Sequence, residues 1–228
     1  MLTTLLYALG ASLPLVVGAA VGARWEPPKH LVATVLAFAA GALIVSTSFE
    51  LFEPAYQGGG AWRAGGMFAA GAVVFVAADT WLDRRYQRSA TGVALLAGVT
   101  LDGIPENTAL GVSLNDSASV ALLVAVFVSN FPEALAGARS MMDKGRSGRT
   151  VVLVWAAATV LLCAAVFLGK FLFAGASATA LSYPLAFAGG AVLASVIDTL
   201  APEAFSEGGP VIALASAAGF VTGYLLSA

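Results

Sequence analysis

The sequence predicts an all-α, polytopic membrane protein: a single transmembrane domain over residues 1–228, with eight helices and an inverted repeat around a central helix pair. The first observation is composition. Of the residues, 59% are apolar and 11% are charged, whereas a soluble domain carries about 25% charged residues. The second is that the apolar residues form runs close to the roughly 20 residues that a membrane-crossing helix needs. The third is that these runs lack the two-residue alternation typical of a membrane β-barrel.

The predicted spans are separated by charged or Gly/Pro-rich breaks. Because hydrocarbon offers no water to backbone groups, Val- and Phe-rich spans are also expected to be helical. The first span has no basic region before it, which argues against a signal peptide. Glycines four residues apart, in 18–22 and 219–223, predict close helix packing. The eight spans are 3–23, 31–55, 61–82, 91–114, 118–141, 150–174, 179–205 and 210–226.

The basic residues predict the orientation. Of 11 Lys and Arg residues, all but Arg63 and Lys170 lie in or beside the first, third and fifth connections. Cytoplasmic loops are enriched in such residues, so these connections face the cytoplasm and both termini face outside. We expect a prokaryotic inner-membrane location. The clusters are interpreted as topology signals, so no nucleic-acid partner is predicted. They are Arg24, Lys29, Arg84, Arg85, Arg88, Arg139, Lys144, Arg146 and Arg149.

The composition also excludes several function classes. A soluble enzyme, a disulfide scaffold and a disordered chain do not fit the apolar content, and the single cysteine, Cys163, allows no Cys-based metal cluster. The single histidine, His30, rules out the His-Glu-x-x-His face of a zinc protease. We therefore expect no enzymatic activity. The enzymatic alternative that is left is an intramembrane aspartyl protease that pairs Asp102 with Glu133.

Acidic side chains lie inside the spans, which is costly. Asp102 and Glu106 are in the middle of the fourth span, and Glu133 is in the fifth. Neither span contains a basic residue at that depth. Each such acid costs about 2.5–3.5 kcal/mol on insertion. A bound cation would offset this cost most directly. The working hypothesis is therefore that the protein carries a cation.

The fourth and fifth spans share a pattern in which proline directly precedes glutamate, as Pro105-Glu106 and Pro132-Glu133. Proline removes one helical hydrogen bond and frees a carbonyl one turn earlier. Residues three or four positions before each glutamate lie on the same helix face. Freed carbonyls and carboxylates together suit a cation. The predicted metal ligands are Asp102, Glu106, Glu133, Asn130 and Ser129.

An internal repeat links the second and seventh spans. Residues 37–42 (AFAAGA) recur as 186–191 (AFAGGA), and each copy leads to an end that contains acids and proline, one residue out of step. By the predicted topology the two spans run in opposite directions, as in transporters with inverted repeats. Chance similarity between Ala/Gly-rich helices is the alternative. The acids predicted to lie along a metal pathway, or simply at the membrane interface, are Glu50, Glu53, Asp198 and Glu203.

These residues resemble the ZIP (Zrt/Irt-like) family of divalent-metal transporters along the whole chain. The segments 101–107 (LDGIPEN) and 129–134 (SNFPEA) are similar to that family's Pro-Glu motifs on spans four and five. The resemblance implies eight spans, outward termini and metal movement into the cytoplasm. Asp102 and Ser129 stand where the family usually has histidine, Gly103 replaces an asparagine, and the sixth span, at 160–165, has no carboxylate. The resemblance therefore supports one metal position and no binuclear site.

The missing histidines influence which metal is expected. Carboxylate and carbonyl oxygens suit harder ions such as Mn²⁺, whereas imidazole suits zinc and copper; zinc also accepts carboxylate oxygen. The substrate expected is thus Zn²⁺, Mn²⁺ or Fe²⁺, with a bias toward the harder ions. Two alternatives stay open, a proton- or sodium-coupled carrier of another substrate and a non-transporting ZIP-like sensor. The partners predicted are membrane lipid and the metal ion, with a homodimer left open.

Overall fold

A computed structural model describes residues 1–86, 92–115 and 118–227 of the chain. All regular secondary structure within those ranges is helical. Arg88 and the 87–90 part of the third connection lie outside the described residues, as does Thr91, where the predicted fourth span begins. The all-α prediction is confirmed for the part of the chain that is described.

In the described part of the chain, eight helical rods follow the order of the predicted spans. Two of them, the second and the seventh, contain a π-helical turn, at Thr47–Phe52 and Val196–Leu200, and each turn is followed by a short proline-containing helix. The rods are α1 (Leu2–Gly22), α2 (Lys29–Gly59), α3 (Ala61–Tyr86), α4 (Gly92–Ser113), α5 (Val120–Asp143), α6 (Gly148–Leu172), α7 (Ala178–Ser195, Val196–Leu200 and Ala201–Gly208) and α8 (Ile212–Ser227).

Six stretches of the described chain are long and apolar enough to cross a membrane. One of them, Ala178–Ser227, has 50 residues, which is more than twice what one crossing needs. It is interrupted at Gly209, whose φ of 65° is the left-handed conformation that favours glycine. Helix α4, with its two acids, is not among the six. A polytopic membrane protein fits these helices, and eight crossings stay a prediction.

The helices pair through glycines that let backbones touch. In α1, a Cβ at Gly18 or Gly22 would collide with carbonyl oxygens of α5, which confirms the close contact predicted from the 18–22 spacing. The 219–223 spacing also marks a close contact, because Gly219 in α8 lies against the carbonyl of Phe38 in α2. Small residues at such positions allow the close backbone approach on which membrane helix packing depends.

The packing repeats with two-fold character. Gly190 in α7 lies against the backbone of Phe68 in α3, just as Gly41 in α2 lies against that of Ser216 in α8. Helices α4 and α6 also pack glycine against backbone, as α5 and α1 do. The two π-helical turns occupy equivalent positions, 149 residues apart, in the two copies. The internal repeat seen in the sequence therefore corresponds to equivalent helices with equivalent neighbours.

Candidate functional site

The two proline-glutamate motifs lie inside the central helices. Pro105 is within α4 and Pro132 within α5, and both helices continue beyond the proline. Glu106 is only 3% exposed, and Glu133 is half-buried. A proline at these positions leaves the carbonyl one turn earlier without its helical donor. The motifs thus place carboxylates and freed carbonyl oxygens deep within the helix bundle.

The predicted central acids are electrostatic neighbours. Glu133 interacts with the charges of Asp102 and Glu106 across the two helices, and also with Glu203 at the end of α7. Asp102 in turn interacts with Asp198 and Glu203. Helix packing therefore gathers negative charge from α4, α5 and α7. Such a gathering is costly in an apolar medium unless a positive charge compensates it.

The acids do not close into a cage in this arrangement. Among the residues that the structure describes, no three His, Cys, Asp or Glu side chains form a group that could hold a metal ion. Any ion held between Glu106 and Glu133 would therefore need further oxygens from carbonyls, amides, hydroxyls or water. The ligand set predicted from the sequence stays a prediction.

Asp102 is held by a hydroxyl that the sequence did not point to. Ser195 Oγ, at the end of the first part of α7, donates a hydrogen bond of 2.9 Å to Asp102 Oδ1. Ser195 is 1% exposed, so water does not replace this bond. The internal repeat could have pointed to this serine, because Ser195 follows the second copy of the repeat, residues 186–191, by four residues. This bond ties α7 to the central helix α4.

Asn130 and Ser129 are both buried and already take part in other bonds. The Asn130 amide donates from Nδ2 to the carbonyl of Ala11 in α1 at 2.7 Å, which leaves its Oδ1 outside this bond. Ser129 Oγ donates to the carbonyl of Val126 at 3.0 Å. A donating hydroxyl still has oxygen lone pairs. Both side chains therefore keep an oxygen that a cation could bind.

Gly103 marks a close contact between α4 and α6. A Cβ at Gly103 would lie 2.5 Å from Cδ1 of Leu162 in α6, so the leucine takes the space of any side chain here. The contact of Gly103 with Leu162 is therefore apolar, and the single metal position expected from the sequence stays a prediction.

The structure adds Asp79, an acid that was not among the predicted site residues. Asp79 in α3 lies near the end of the predicted third span, where an acid is unremarkable. Its carboxyl is within hydrogen-bonding reach of Asp198 and interacts with the charge of Asp83; Asp102 also interacts with it. A signal was present, because Asp79 and Asp83 share one helix face, as Asp102 and Glu106 do.

The four predicted pathway acids lie in different environments. Glu50 is half-buried in the first π-helical turn, while Glu53 is exposed and accepts a 3.1 Å hydrogen bond from Gln57. Asp198 and Glu203 are exposed but interact with Asp102. Glu203 also lines a cavity of about 460 Å³ between α2, α5 and α7. The structure therefore connects the α7 acids to the central ones, and gives Glu53 a surface partner.

Ion pairs line this cavity. Lys29 contacts Glu207 at 3.0 Å, which joins the start of α2 to the end of α7. Arg139 in α5 contacts Asp143 at 2.6 Å and Glu26 at 3.7 Å. All five side chains line the cavity. By the orientation predicted from the basic residues, this is the cytoplasmic side.

Comparison with known proteins finds similarity to a plant protein. The chain is 31% identical, over 185 aligned residues, to a candidate zinc transporter of Arabidopsis thaliana. The aligned region covers 75% of this chain and 30% of the Arabidopsis protein. The chain thus spans less than a third of the length of this relative. No protein-family profile matches the sequence.

Proposed function

We propose that the protein is a divalent-metal transporter of the ZIP type that moves metal ions into the cytoplasm. The observation that carries this proposal is the set of interacting acids Asp102, Glu106 and Glu133 inside apolar helices. The similarity to the Arabidopsis protein, named for zinc transport, supports the same conclusion. Asp102, Glu106 and Glu133 have no basic partner at that depth of their spans, and a transported cation would compensate their negative charge.

The proposed route follows the acids through the bundle. Glu50 attracts the cation at the outer side, and Glu106 and Glu133, with Asp102 and carbonyl oxygens, hold it in the centre. Asp198, Asp79 and Glu203 then receive it, and it leaves through the cavity that Glu203 lines. From the centre onward, each step passes the ion between carboxylates that are electrostatic neighbours. Alternating access would come from movement of the two repeats about α4 and α5.

The donor atoms on this route are oxygens. Oxygen donors favour Mn²⁺ and Fe²⁺ more than a histidine site would, while the relative is named for zinc. We propose that the transporter accepts Zn²⁺, Mn²⁺ and Fe²⁺, with a bias toward the harder ions. The Asp102→His variant should move this preference toward zinc. A competition assay between Mn²⁺ and Zn²⁺ in which the variant matches wild type would contradict the assignment of Asp102 as a ligand.

The direct test is uptake into proteoliposomes that contain a metal-sensitive dye. Glu106→Gln and Glu133→Gln keep the side-chain shape and remove the charge, and each should lower Mn²⁺ and Zn²⁺ uptake by more than about tenfold, a common effect of altering a metal site. Glu53→Gln is the matched control, because Glu53 is exposed and bonded to Gln57. It should transport like wild type.

Other outcomes would favour the competing functions. Uptake of a metal-free substrate that persists with a chelator present would indicate a proton- or sodium-coupled carrier. Metal binding by wild-type protein without any uptake would indicate a sensor. Cleavage of a membrane peptide would indicate a protease that pairs Asp102 with Glu133.

A further inference from the structure

Two hydroxyls in α2 are buried without a partner. Ser46 and Thr47 are 0% and 2% exposed, and among the described residues neither hydroxyl oxygen has a hydrogen-bond partner. Other hydroxyls nearby are satisfied within their own helix, as where Ser48 donates to the carbonyl of Ile44 at 2.9 Å. A buried polar atom without a partner is costly and needs an explanation, often a water molecule or an ion.

The internal repeat shows what the equivalent serine does. Ser46 and Ser195 are 149 residues apart, the same offset that relates residues 37–42 to 186–191. Each serine directly precedes the first residue of a π-helical turn. Such turns are frequent at functional sites. Ser195 contacts the central helix α4 by its bond to Asp102. By the same symmetry, we expect Ser46 to face the other central helix, α5.

The residue that Ser46 would meet on α5 follows from the matched motifs. Ser129 precedes Glu133 by four residues, as Asp102 precedes Glu106, so Ser129 is the equivalent of Asp102. Helix α2 packs against α5, and its π-helical turn contacts both α4 and α5. Unlike Asp102, Ser129 offers no carboxylate that could accept a hydrogen bond from a serine, and its own hydroxyl donates to the carbonyl of Val126. The repeat therefore places neutral oxygens where its other copy has a serine–carboxylate bond.

We infer that Ser46 and Thr47, together with Ser129, form a cation-binding site of hydroxyl oxygens beside the Glu106–Glu133 centre. The inference rests on the proposed transport function. The ligand is a partly hydrated hard divalent cation. Hydroxyl oxygens bind such an ion through lone pairs, and water completes its coordination. A site of neutral oxygens holds the ion more weakly than the carboxylates do. Weak binding suits a transient site, because the ion must leave it to reach the centre.

The position of this site fits the route. Glu50 lies four residues after Ser46 in the same helix, about one turn further along, and is half-buried. Along α2 the hydroxyls thus precede Glu50 by about one turn, and α2 packs against α5, the helix that carries Glu133. The equivalent path in the other repeat leads from Asp102 past Ser195 to Asp198, whose charge interacts with that of Asp102. One copy would deliver the cation and the other would release it.

A change of donor atom tests the inference. In Ser46→Cys, sulfur replaces oxygen, and sulfur prefers soft ions to hard ones. Measured as Cd²⁺ inhibition of Mn²⁺ uptake in proteoliposomes, the half-inhibiting Cd²⁺ concentration should fall by about tenfold or more. Thr47→Cys should act in the same direction. Ser113→Cys is the matched control, because Ser113 is a buried serine whose hydroxyl is satisfied by the carbonyl of Leu110 at 2.8 Å. If both cysteine variants match this control, the inference is wrong.

A second variant, Ser46→Ala, tests the same site if the cysteine variants do not fold. In Ser46→Ala the cation loses one oxygen, so the KM for Mn²⁺ should rise by about tenfold, with a smaller change in kcat. Removing a hydroxyl without a partner should leave the thermal stability of the purified protein unchanged. A loss of stability with an unchanged KM would show that Ser46 is merely structural, and would overturn the site.

Different measurements would refute the hydroxyl site and the transport function. If wild-type protein takes up no divalent metal, the transport function itself is wrong. If wild-type protein transports Mn²⁺ while Ser46→Cys and Ser46→Ala behave as Ser113→Cys and wild type do, only the hydroxyl site is refuted.

Discussion

The hydrogen bond between Ser195 and Asp102 joins α7 to the central helix α4, and its loss has a calculable effect. Its length is 2.9 Å, and the serine is 1% exposed, so water cannot take the place of the hydroxyl. In Ser195→Ala, Asp102 loses its donor. A bond to an ionised carboxylate contributes about 1.5–3 kcal/mol, and one between neutral groups about 0.5–1.5 kcal/mol. For an ionised Asp102 we expect Ser195→Ala to lower the free energy of unfolding by about 1.5–3 kcal/mol.

The assay is reversible unfolding of the purified protein in detergent, combined with a double-mutant cycle. Asp102→Asn and the double variant isolate the pairwise energy, because directly bonded residues show coupling of about 0.5–3 kcal/mol. The matched control is Ser48→Ala, since Ser48 is exposed and bonds within its own helix. It should change stability by less than about 0.5 kcal/mol. A loss equal to that of the control, or additive single effects, would refute the role of this bond.

Three further predictions concern packing, the pathway and metal binding. Gly103→Ala should destabilise the protein by about 1–3 kcal/mol through overpacking, and Leu162→Ala in the same chain should relieve it; an unrelieved loss in denaturant unfolding would contradict the contact. Asp79→Asn should lower Mn²⁺ uptake at low metal concentration, whereas the exposed Asp83→Asn should not; equal uptake by both variants would remove Asp79 from the pathway. Metal at 100 times its dissociation constant should stabilise the protein by about 2.7 kcal/mol, and a chelator should reverse this; the same stabilisation in Glu106→Gln would place the metal elsewhere.

Much of the site was predictable because its pattern is local. Pro105-Glu106 and Pro132-Glu133 mark the central helices by adjacency alone, and the acid four residues before Glu106 is on its face by helical geometry. The structure places Glu106 and Glu133 within the bundle and gives both an interaction with Asp102. The glycine spacings in 18–22 and 219–223 also predicted real contacts.

Other parts of the site depend on which helices meet. Asp79 reads as an acid near a span end, and only the packing of α3 on α7 brings it to Asp198. Ser195 is one of many serines in the sequence, and its bond to Asp102 spans 93 residues of chain. The sequence also does not reveal that Leu162, 59 residues further along the chain, fills the space beside Gly103.

By itself the sequence determined that the apolar runs are helical, because backbone groups in hydrocarbon must be satisfied within the segment. It also determined that these helices contain acids whose negative charge requires compensation. The tertiary structure decided which oxygens share one neighbourhood, and which hydroxyls, those of Ser46 and Thr47, are buried without a partner. The reason is physical. Hydrogen bonds within a helix depend on residues three to five positions apart, whereas the rotation and pairing of helices depend on close packing between spans that are distant in the chain.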